Sequence, residues 1–140
     1  MVMTHTKLVD IEIDEDSDID INSYHDVKHI VIEHLHKHGV TKVVVEFSGG
    51  NDEGDVDSVT ITFTDEYFKT ETIEIRYADY KNLHEALCSP VDYEYAGFAM
   101  EGHVDGQVTW LINSADKNKS VVLLTGSQSY EHWDDISKEL

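Results

Sequence analysis

Residues 40–64 read VTKVVVEFSGGNDEGDVDSVTITFT, and this stretch decides the fold. On both sides of its glycine-rich centre, apolar side chains recur at every second position, which is the period of a strand with one buried face. We therefore predict strands over 40–47 and 58–64, and a third over 70–77. Their inward side chains are Val43, Val45, Phe47, Val59, Ile61, Phe63, Ile73, Ile75 and Tyr77. The short connections favour an antiparallel meander.

A helix is predicted over residues 24–38, immediately before these strands. Its apolar positions recur with helical spacing, at Val27, Ile30, Val31 and Leu35. Ser23 is a suitable N-cap and Gly39 a suitable residue to end the helix. Because antiparallel sheets commonly bury one face, we expect this helix to cover one face of the meander.

The segment before the helix, residues 8–14, reads LVDIEID and alternates apolar with acidic residues. This pattern predicts a half-exposed strand. Its inward side chains would be Val9, Ile11 and Ile13, and its outward row would be Asp10, Glu12 and Asp14. A row of charge on a strand also protects a sheet edge from pairing with other chains.

The second half predicts a short helix that is capped by Asp79 and ends at Ser89-Pro90, then strands over 93–100, 107–113 and 120–125. The turn SADKNK joins the last two strands as a hairpin. A final amphipathic helix opens at Ser129, with a stripe of Tyr130, Trp133, Ile136 and Leu140. Residues 1–140 then form a single α+β domain. Its antiparallel sheet, a meander plus a C-terminal hairpin, packs against an N-terminal helix and a short C-terminal helix.

Charge sets the functional expectation, because 29 Asp and Glu face 10 Lys and Arg, a formal net charge of −19. Self-repulsion on this scale destabilises the compact state, so we expect the charge to serve a partner. Phosphates would be repelled, which argues against direct binding to nucleic acid or anionic lipid and favours a basic protein surface. The acids form two blocks, which are the predicted partner-binding residues: Asp10, Glu12, Asp14, Glu15, Asp16, Asp18 and Asp20, then Asp52, Glu53, Asp55 and Asp57.

The same composition suggests a compartment. A single cysteine, Cys88, gives no internal disulfide and fits a reducing cytoplasm. The first residues lack the basic-then-apolar layout of a signal peptide, and no apolar run is long enough for a membrane span. We expect a cytoplasmic protein without a membrane partner.

Two clusters invite a metal interpretation. Asn51, Glu53, Asp55 and Asp57 alternate as calcium ligands often do, although the EF-hand pattern fails. His25, His29 and His36 share one stripe of the first helix and are candidate transition-metal ligands. The simpler interpretations, a solvated β-loop and a polar helix flank, are the ones we favour.

The sequence offers little for catalysis. Cys88 has no glycine elbow and no obvious orienting base, and a small core residue is its simpler interpretation. Gly49-Gly50 is followed by acids rather than by the Lys and Ser of a phosphate loop. We predict a non-enzymatic protein without a cofactor.

Two stretches carry a resemblance, namely FSGGNDEGDVDSV at 47–59 and YAGFAMEGHVDGQVTW at 95–110. The first resembles a strand–loop–strand signature of small uncharacterised acidic proteins from bacteriophages and mobile elements, and the second is similar to the layout of their later half. That family has no settled activity. The resemblance implies a phage or mobile-element setting, and hence the cytoplasm of a host cell.

Charge and setting lead to one functional hypothesis with two alternatives. The leading hypothesis is an inhibitor of a nucleic-acid-binding host protein, of anti-CRISPR, anti-restriction or similar type, that acts by negative-charge mimicry. The alternatives are an immunity protein against a basic nuclease toxin and a calcium-binding module. Whether the two acidic blocks share one face of the fold decides how well mimicry fits.

Overall fold

The structure, a computed structural model, describes residues 8–12, 18–21, 23–50, 53–64, 67, 69–95, 103–129 and 133–140. Its elements in chain order are α1 (Tyr24–Lys37), β1 (Val40–Gly50), β2 (Glu53–Thr64), β3 (Thr70–Glu74), α2 (Lys81–Tyr95), β4 (His103–Leu111), β5 (Val121–Ser129) and β6 (Trp133–Glu139). A short 3-10 turn over Lys117–Lys119 joins β4 to β5. The predicted α+β class is confirmed.

All the described strands form one antiparallel sheet of six, in the order β3-β2-β1-β4-β5-β6. The predicted meander is β1-β2-β3, and the predicted hairpin is β4-β5. Strand β4 also pairs with β1, with Val108 opposite Val45, so the two halves of the chain share one sheet. β3 is shorter than the predicted 70–77 strand and ends at Glu74.

Both helices lie on one face of this sheet. α1 contributes Val27, Val31 and Leu35, which have no exposed surface. Trp110 of β4 is equally buried, and its indole Nε1 donates a hydrogen bond to the Leu87 carbonyl of α2 at 3.3 Å. Alternate strand residues therefore point either into this core or to the opposite face. No element in the described part of the chain packs on that opposite face.

The ends of α1 follow the sequence only in part. Gly39 adopts a φ of 75°, a left-handed conformation that glycine tolerates, and it ends the helix as predicted. Ser23 occupies the N-cap position, but its side chain makes no capping hydrogen bond. Because that bond is missing, the buried stripe of α1 is its main source of stability.

The strand predicted over residues 8–14 is wrong for the described residues 8–12, which form no strand. Leu8 and Ile11 are the buried side chains, whereas Val9 is 53% exposed. The segment is instead bound to α2. Asp10 accepts hydrogen bonds from the backbone N–H groups of Asn82 at 3.1 Å and Leu83 at 2.7 Å. Residues 13 and 14 lie outside the described residues.

Asp10, rather than the predicted Asp79, therefore caps α2. The first N–H groups of a helix have no partner within the helix, and a carboxylate satisfies them while opposing the positive helix end. The Asn82 amide adds a bond to the Ile11 carbonyl at 2.8 Å, so side chain and backbone both fix the segment. The cap comes from a residue far away in the chain, which explains why local pattern alone chose Asp79.

α2 also continues through Pro90, where the sequence predicted its end. Proline has no N–H to donate to the carbonyl four residues earlier, which here belongs to Ala86. The buried Ser89 hydroxyl donates to that carbonyl at 2.6 Å and supplies the missing bond. The strand predicted over 93–100 is accordingly wrong for residues 93–95, which are helical, and residues 96–100 lie outside the described residues.

The C-terminal helix predicted from Ser129 is wrong as well, because residues 133–139 form strand β6. β6 pairs with β5 from Leu123↔Glu139 to Ser129↔Trp133. Without β6, the backbone groups of β5 on that side would form the edge of the sheet. The backbone hydrogen bonds that β6 forms with β5 therefore stabilise this segment more than an amphipathic helix would.

Candidate interaction surface

The uncovered face of the sheet carries mainly hydroxyl side chains. Strand pairing arranges the side chains of this face in four rows that run across the sheet: Thr72, Thr62, Lys42, Leu111 and Val121; Glu74, Thr60, Val44, Thr109, Leu123 and Glu139; Ser58, Glu46, Gln107, Thr125 and Ser137; and Ser48, Asp105, Ser127 and Asp135. Lys42 is the one lysine in these rows. Apolar side chains occur only in the first two rows, whereas carboxylates occur in the last three.

Four carboxylates lie on four strands at the same end of this face, the end at which β1 reaches Gly50, and we name this group the acidic end. Its members are Glu46, Asp57, Asp105 and Asp135. Glu46, Asp105 and Asp135 face outward through ordinary strand alternation. They come from three different strands, β1, β4 and β6, which the tertiary fold brings together.

Asp57 reaches the acidic end through a β-bulge. Ser58 pairs with Glu46 and Val56 pairs with Phe47, so Asp57 is the extra residue without an opposite partner. In a regular strand it would share the covered face with Val59. The bulge turns it outward, where its Oδ1 accepts a hydrogen bond from the Ser48 hydroxyl at 3.3 Å. Bulges commonly re-aim a side chain in this way.

Neighbouring polar side chains hold the other three carboxylates. Ser58 donates to Glu46 at 3.3 Å, and Ser127 donates to Asp135 at 3.4 Å. Asp105 lies 3.1 Å from the ring Nε2 of His103. Within the described residues, none of the four carboxylates forms an ion pair with Lys or Arg. In the described part of the chain, His103 is thus the one basic side chain that these carboxylates contact.

A shallow hollow of about 400 Å³ opens at the acidic end, lined in part by Glu46, Asp57 and Asp105. Its floor includes the paired Gly106 and Gly126 of β4 and β5. A Cβ on Gly106 would lie 2.7 Å from the Thr125 carbonyl oxygen, and one on Gly126 would lie 2.3 Å from that of Asp105. These glycines share the row of the buried Phe47, so side chains here would force the two strands apart, and the close pairing of β4 and β5 depends on both glycines.

The two predicted acidic blocks do not meet on one face among the described residues. Asp10 caps α2, and Glu12 is exposed in a cleft beside Lys37 of α1, so both belong to the helical side. Asp18 and Asp20 are exposed just before α1. Asp57 lies on the uncovered face. Asp14, Glu15, Asp16 and Asp52 lie outside the described residues, as do the side chains of Glu53 and Asp55.

The metal hypotheses stay predictions. Residues 53–57 belong to β2, and Gly50 pairs with Glu53, so the predicted acidic loop narrows to positions 51 and 52. His36 Nε2 lies 3.0 Å from the Ser114 carbonyl oxygen, while His25 and His29 line a groove beside β6. Among the residues that the structure describes, no group of three His, Cys, Asp or Glu side chains is placed to hold a metal ion.

Sequence reasoning missed three members of the acidic end. Glu46 lies between the inward Val45 and Phe47, so strand alternation already marked it as outward. Asp105 fell before the start of the predicted 107–113 strand, and Asp135 fell in the wrongly predicted helix. Their proximity depends on strand order, which no local pattern states.

Residues 24–90 match the model of a family of unknown function, DUF6878. The matched region is therefore similar to that family over α1, the β1–β3 meander and most of α2. A search of curated proteins and a search of solved structures found no match. In the described residues, no helix is long and apolar enough to cross a membrane.

Proposed function

We propose that this protein is a non-enzymatic interaction protein that binds a basic protein surface through its acidic end. The target class is a nucleic-acid-handling protein whose phosphate-binding surface the carboxylates occupy. The observation that carries the proposal is the placement of Glu46, Asp57, Asp105 and Asp135 on an open sheet face, without a Lys or Arg counter-charge among the described residues.

Two physical effects favour binding at the acidic end. A patch of one sign, added to a net charge of −19, steers an oppositely charged partner and raises its association rate. Strand backbones and cross-strand hydrogen bonds fix the carboxylates before binding, so less side-chain entropy is lost on association. A surface of this kind competes with phosphates for the same lysines and arginines.

The biological setting of the proposal comes from the resemblance to acidic phage proteins. It suggests an inhibitor of a host defence or replication protein, of anti-CRISPR, anti-restriction or similar type, in the host cytoplasm. An immunity protein would use the same electrostatics against a basic nuclease toxin. The identity of the bound target separates these two roles.

The test is capture from a host-cell lysate at low salt, with three immobilised proteins. One is the wild type. The second carries Glu46→Gln, Asp57→Asn, Asp105→Asn and Asp135→Asn. The third is a control with the same net charge, in which exposed acids of the helical side are neutralised by Glu12→Gln, Asp18→Asn, Glu33→Gln and Asp79→Asn. Captured proteins are identified by mass spectrometry and then challenged with duplex DNA and with RNA.

We expect the wild type and the control to retain a nucleic-acid-binding protein that excess DNA or RNA displaces, and the acidic-end variant to lose it. The captured protein should also lose nucleic-acid binding when the wild type is added. Equal retention by the acidic-end variant, or retention that no nucleic acid displaces, would contradict the proposal.

A further inference from the structure

Beside the acidic end, the same uncovered face carries an apolar strip, defined by Val44, Leu111, Val121 and Leu123. Leu111 pairs with Val121, and Thr109 lies between Val44 and Leu123 in the next row. Side chains opposite each other on a sheet face are in contact range, and diagonal neighbours are close enough for long side chains to touch. Leu111, Val121 and Leu123 are therefore neighbours on β4 and β5, and Val44 of β1 lies diagonally across from Leu111.

The strip differs from scattered surface hydrophobics. Leu111 is 36% exposed, and the other three are partly exposed rather than buried. Single exposed apolar residues need no explanation, but contiguous ones rimmed by polar groups commonly mark interaction sites. Here the rim consists of threonines, Lys42 and Glu139.

The position of the strip relative to the acidic end defines a two-part surface. Val44 and Glu46 are two residues apart on β1, and Leu111 and Asp105 are six residues apart on β4. At the usual rise per strand residue the separation runs from roughly 7 Å to roughly 20 Å, with a middle value of roughly 13 Å. All four residues belong to the same face of the sheet. A partner that covers the acidic end therefore meets the strip without any rearrangement of the sheet.

A second copy of this chain fits the surface poorly. A two-fold axis parallel to the strands would place one acidic end against the other, and like charges would repel. A two-fold axis across the strands would place each acidic end against the apolar strip and Lys42 of the other copy. One lysine for four carboxylates leaves most of them buried without a partner.

We infer that the partner is a protein surface with an apolar contact patch and a cluster of Lys or Arg about 13 Å from it. This inference rests on the proposed function, because it adds a second contact to the acidic end. The apolar contact excludes water at the centre of the interface, while the charges set orientation and association rate. Charge mimicry alone would need no such strip.

The probe is a synthetic helical peptide with a leucine stripe in one half and lysines in the other, their centres about nine residues apart at 1.5 Å per residue. A matched peptide has alanines in place of the leucines and the same charge. Fluorescence anisotropy measures both peptides against the wild type, the acidic-end variant and Leu111→Gln/Leu123→Gln. A control, Val9→Gln/Ile19→Gln, alters exposed apolar residues outside the uncovered face.

We expect the leucine peptide to bind the wild type roughly tenfold more tightly than the alanine peptide. The difference should disappear in Leu111→Gln/Leu123→Gln and persist in the Val9→Gln/Ile19→Gln control. The two peptides already separate the contacts on the unmodified protein, so the result does not depend on the folding of a variant.

Three results would overturn the inference. The first is that the wild type binds both peptides equally and the acidic-end variant binds neither. This result would contradict a role for the apolar strip but would agree with the proposed function. The second is that the acidic-end variant binds both peptides as tightly as the wild type does. This result would contradict the proposed function as well. Dimerisation seen by sedimentation and abolished by Leu111→Gln/Leu123→Gln would identify a second copy as the occupant.

Discussion

The two faces of the sheet use the same strands for different purposes. On the covered face, Val43, Val45 and Trp110 have no exposed surface and pack beneath the helices. On the uncovered face, their neighbours Val44, Glu46 and Leu111 remain in contact with solvent. Residues adjacent in the chain thus belong to different environments, and stability and binding should respond to different substitutions.

The largest expected effect compares two valines that are adjacent in β1. Val43→Ala removes fully buried methyl groups and leaves a cavity, which should lower the free energy of unfolding by about 2–3 kcal/mol. Val44→Ala removes the same atoms from the uncovered face and should cost less than about 1 kcal/mol. Urea unfolding measures both. Equal losses would mean that the uncovered face is also packed against something.

The next effect concerns the acids of the first block, which the account divides into structural and solvent-exposed members. Asp10→Ala removes the cap of α2 and should cost about 1–2 kcal/mol. Glu12→Ala, two residues away and exposed, should change stability by less than about 0.5 kcal/mol. Thermal unfolding of the two variants distinguishes the roles, and a neutral Asp10→Ala would show that this carboxylate does not cap the helix.

A smaller effect tests how α2 passes Pro90 beneath the covered face. Ser89→Ala leaves the Ala86 carbonyl without its hydroxyl donor and should cost about 1 kcal/mol. Pro90→Ala restores a backbone N–H, so the cost of Ser89→Ala should shrink in that background. A double-mutant cycle by urea unfolding measures the coupling. Additive effects would argue that the hydroxyl does not compensate for the proline.

The smallest effect on stability belongs to the acidic end. The variant with Glu46→Gln, Asp57→Asn, Asp105→Asn and Asp135→Asn removes like charges that repel one another. Its free energy of unfolding should equal that of the wild type or exceed it by less than about 0.5 kcal/mol in total. A marked loss of stability in calorimetry would mean that these carboxylates serve the fold.

The covered face was largely predictable from sequence, because a strand period of two and a helical period near four identify buried positions directly. The inward residues of β1 and β2 and the stripe of α1 follow from that rule. The rule failed where long-range contacts decide. Asp10 caps a helix that begins more than seventy residues later. The Ser89 hydroxyl donates to the carbonyl that Pro90 cannot reach with a backbone N–H. Residues 133–139, which have helical spacing, pair with the edge of β5 as strand β6.

The uncovered face was less predictable for a related reason. Its outward residues could be identified strand by strand, as for Glu46, but their grouping depends on the pairing of β1 with β4 and of β5 with β6. The bulge that turns Asp57 outward leaves no distinct trace in the spacing of apolar residues. The net charge could be counted from the sequence, whereas the grouping of carboxylates on the uncovered face depends on the fold.

The most direct test of the account is a map of where the target binds. Backbone amide signals of the wild type are followed by NMR during titration with the target protein captured at low salt. The account predicts that the largest changes fall on the uncovered face around Glu46, Asp57, Asp105 and Asp135. Changes concentrated instead on residues 8–12, 18–21 or the exposed side of α1 would contradict it.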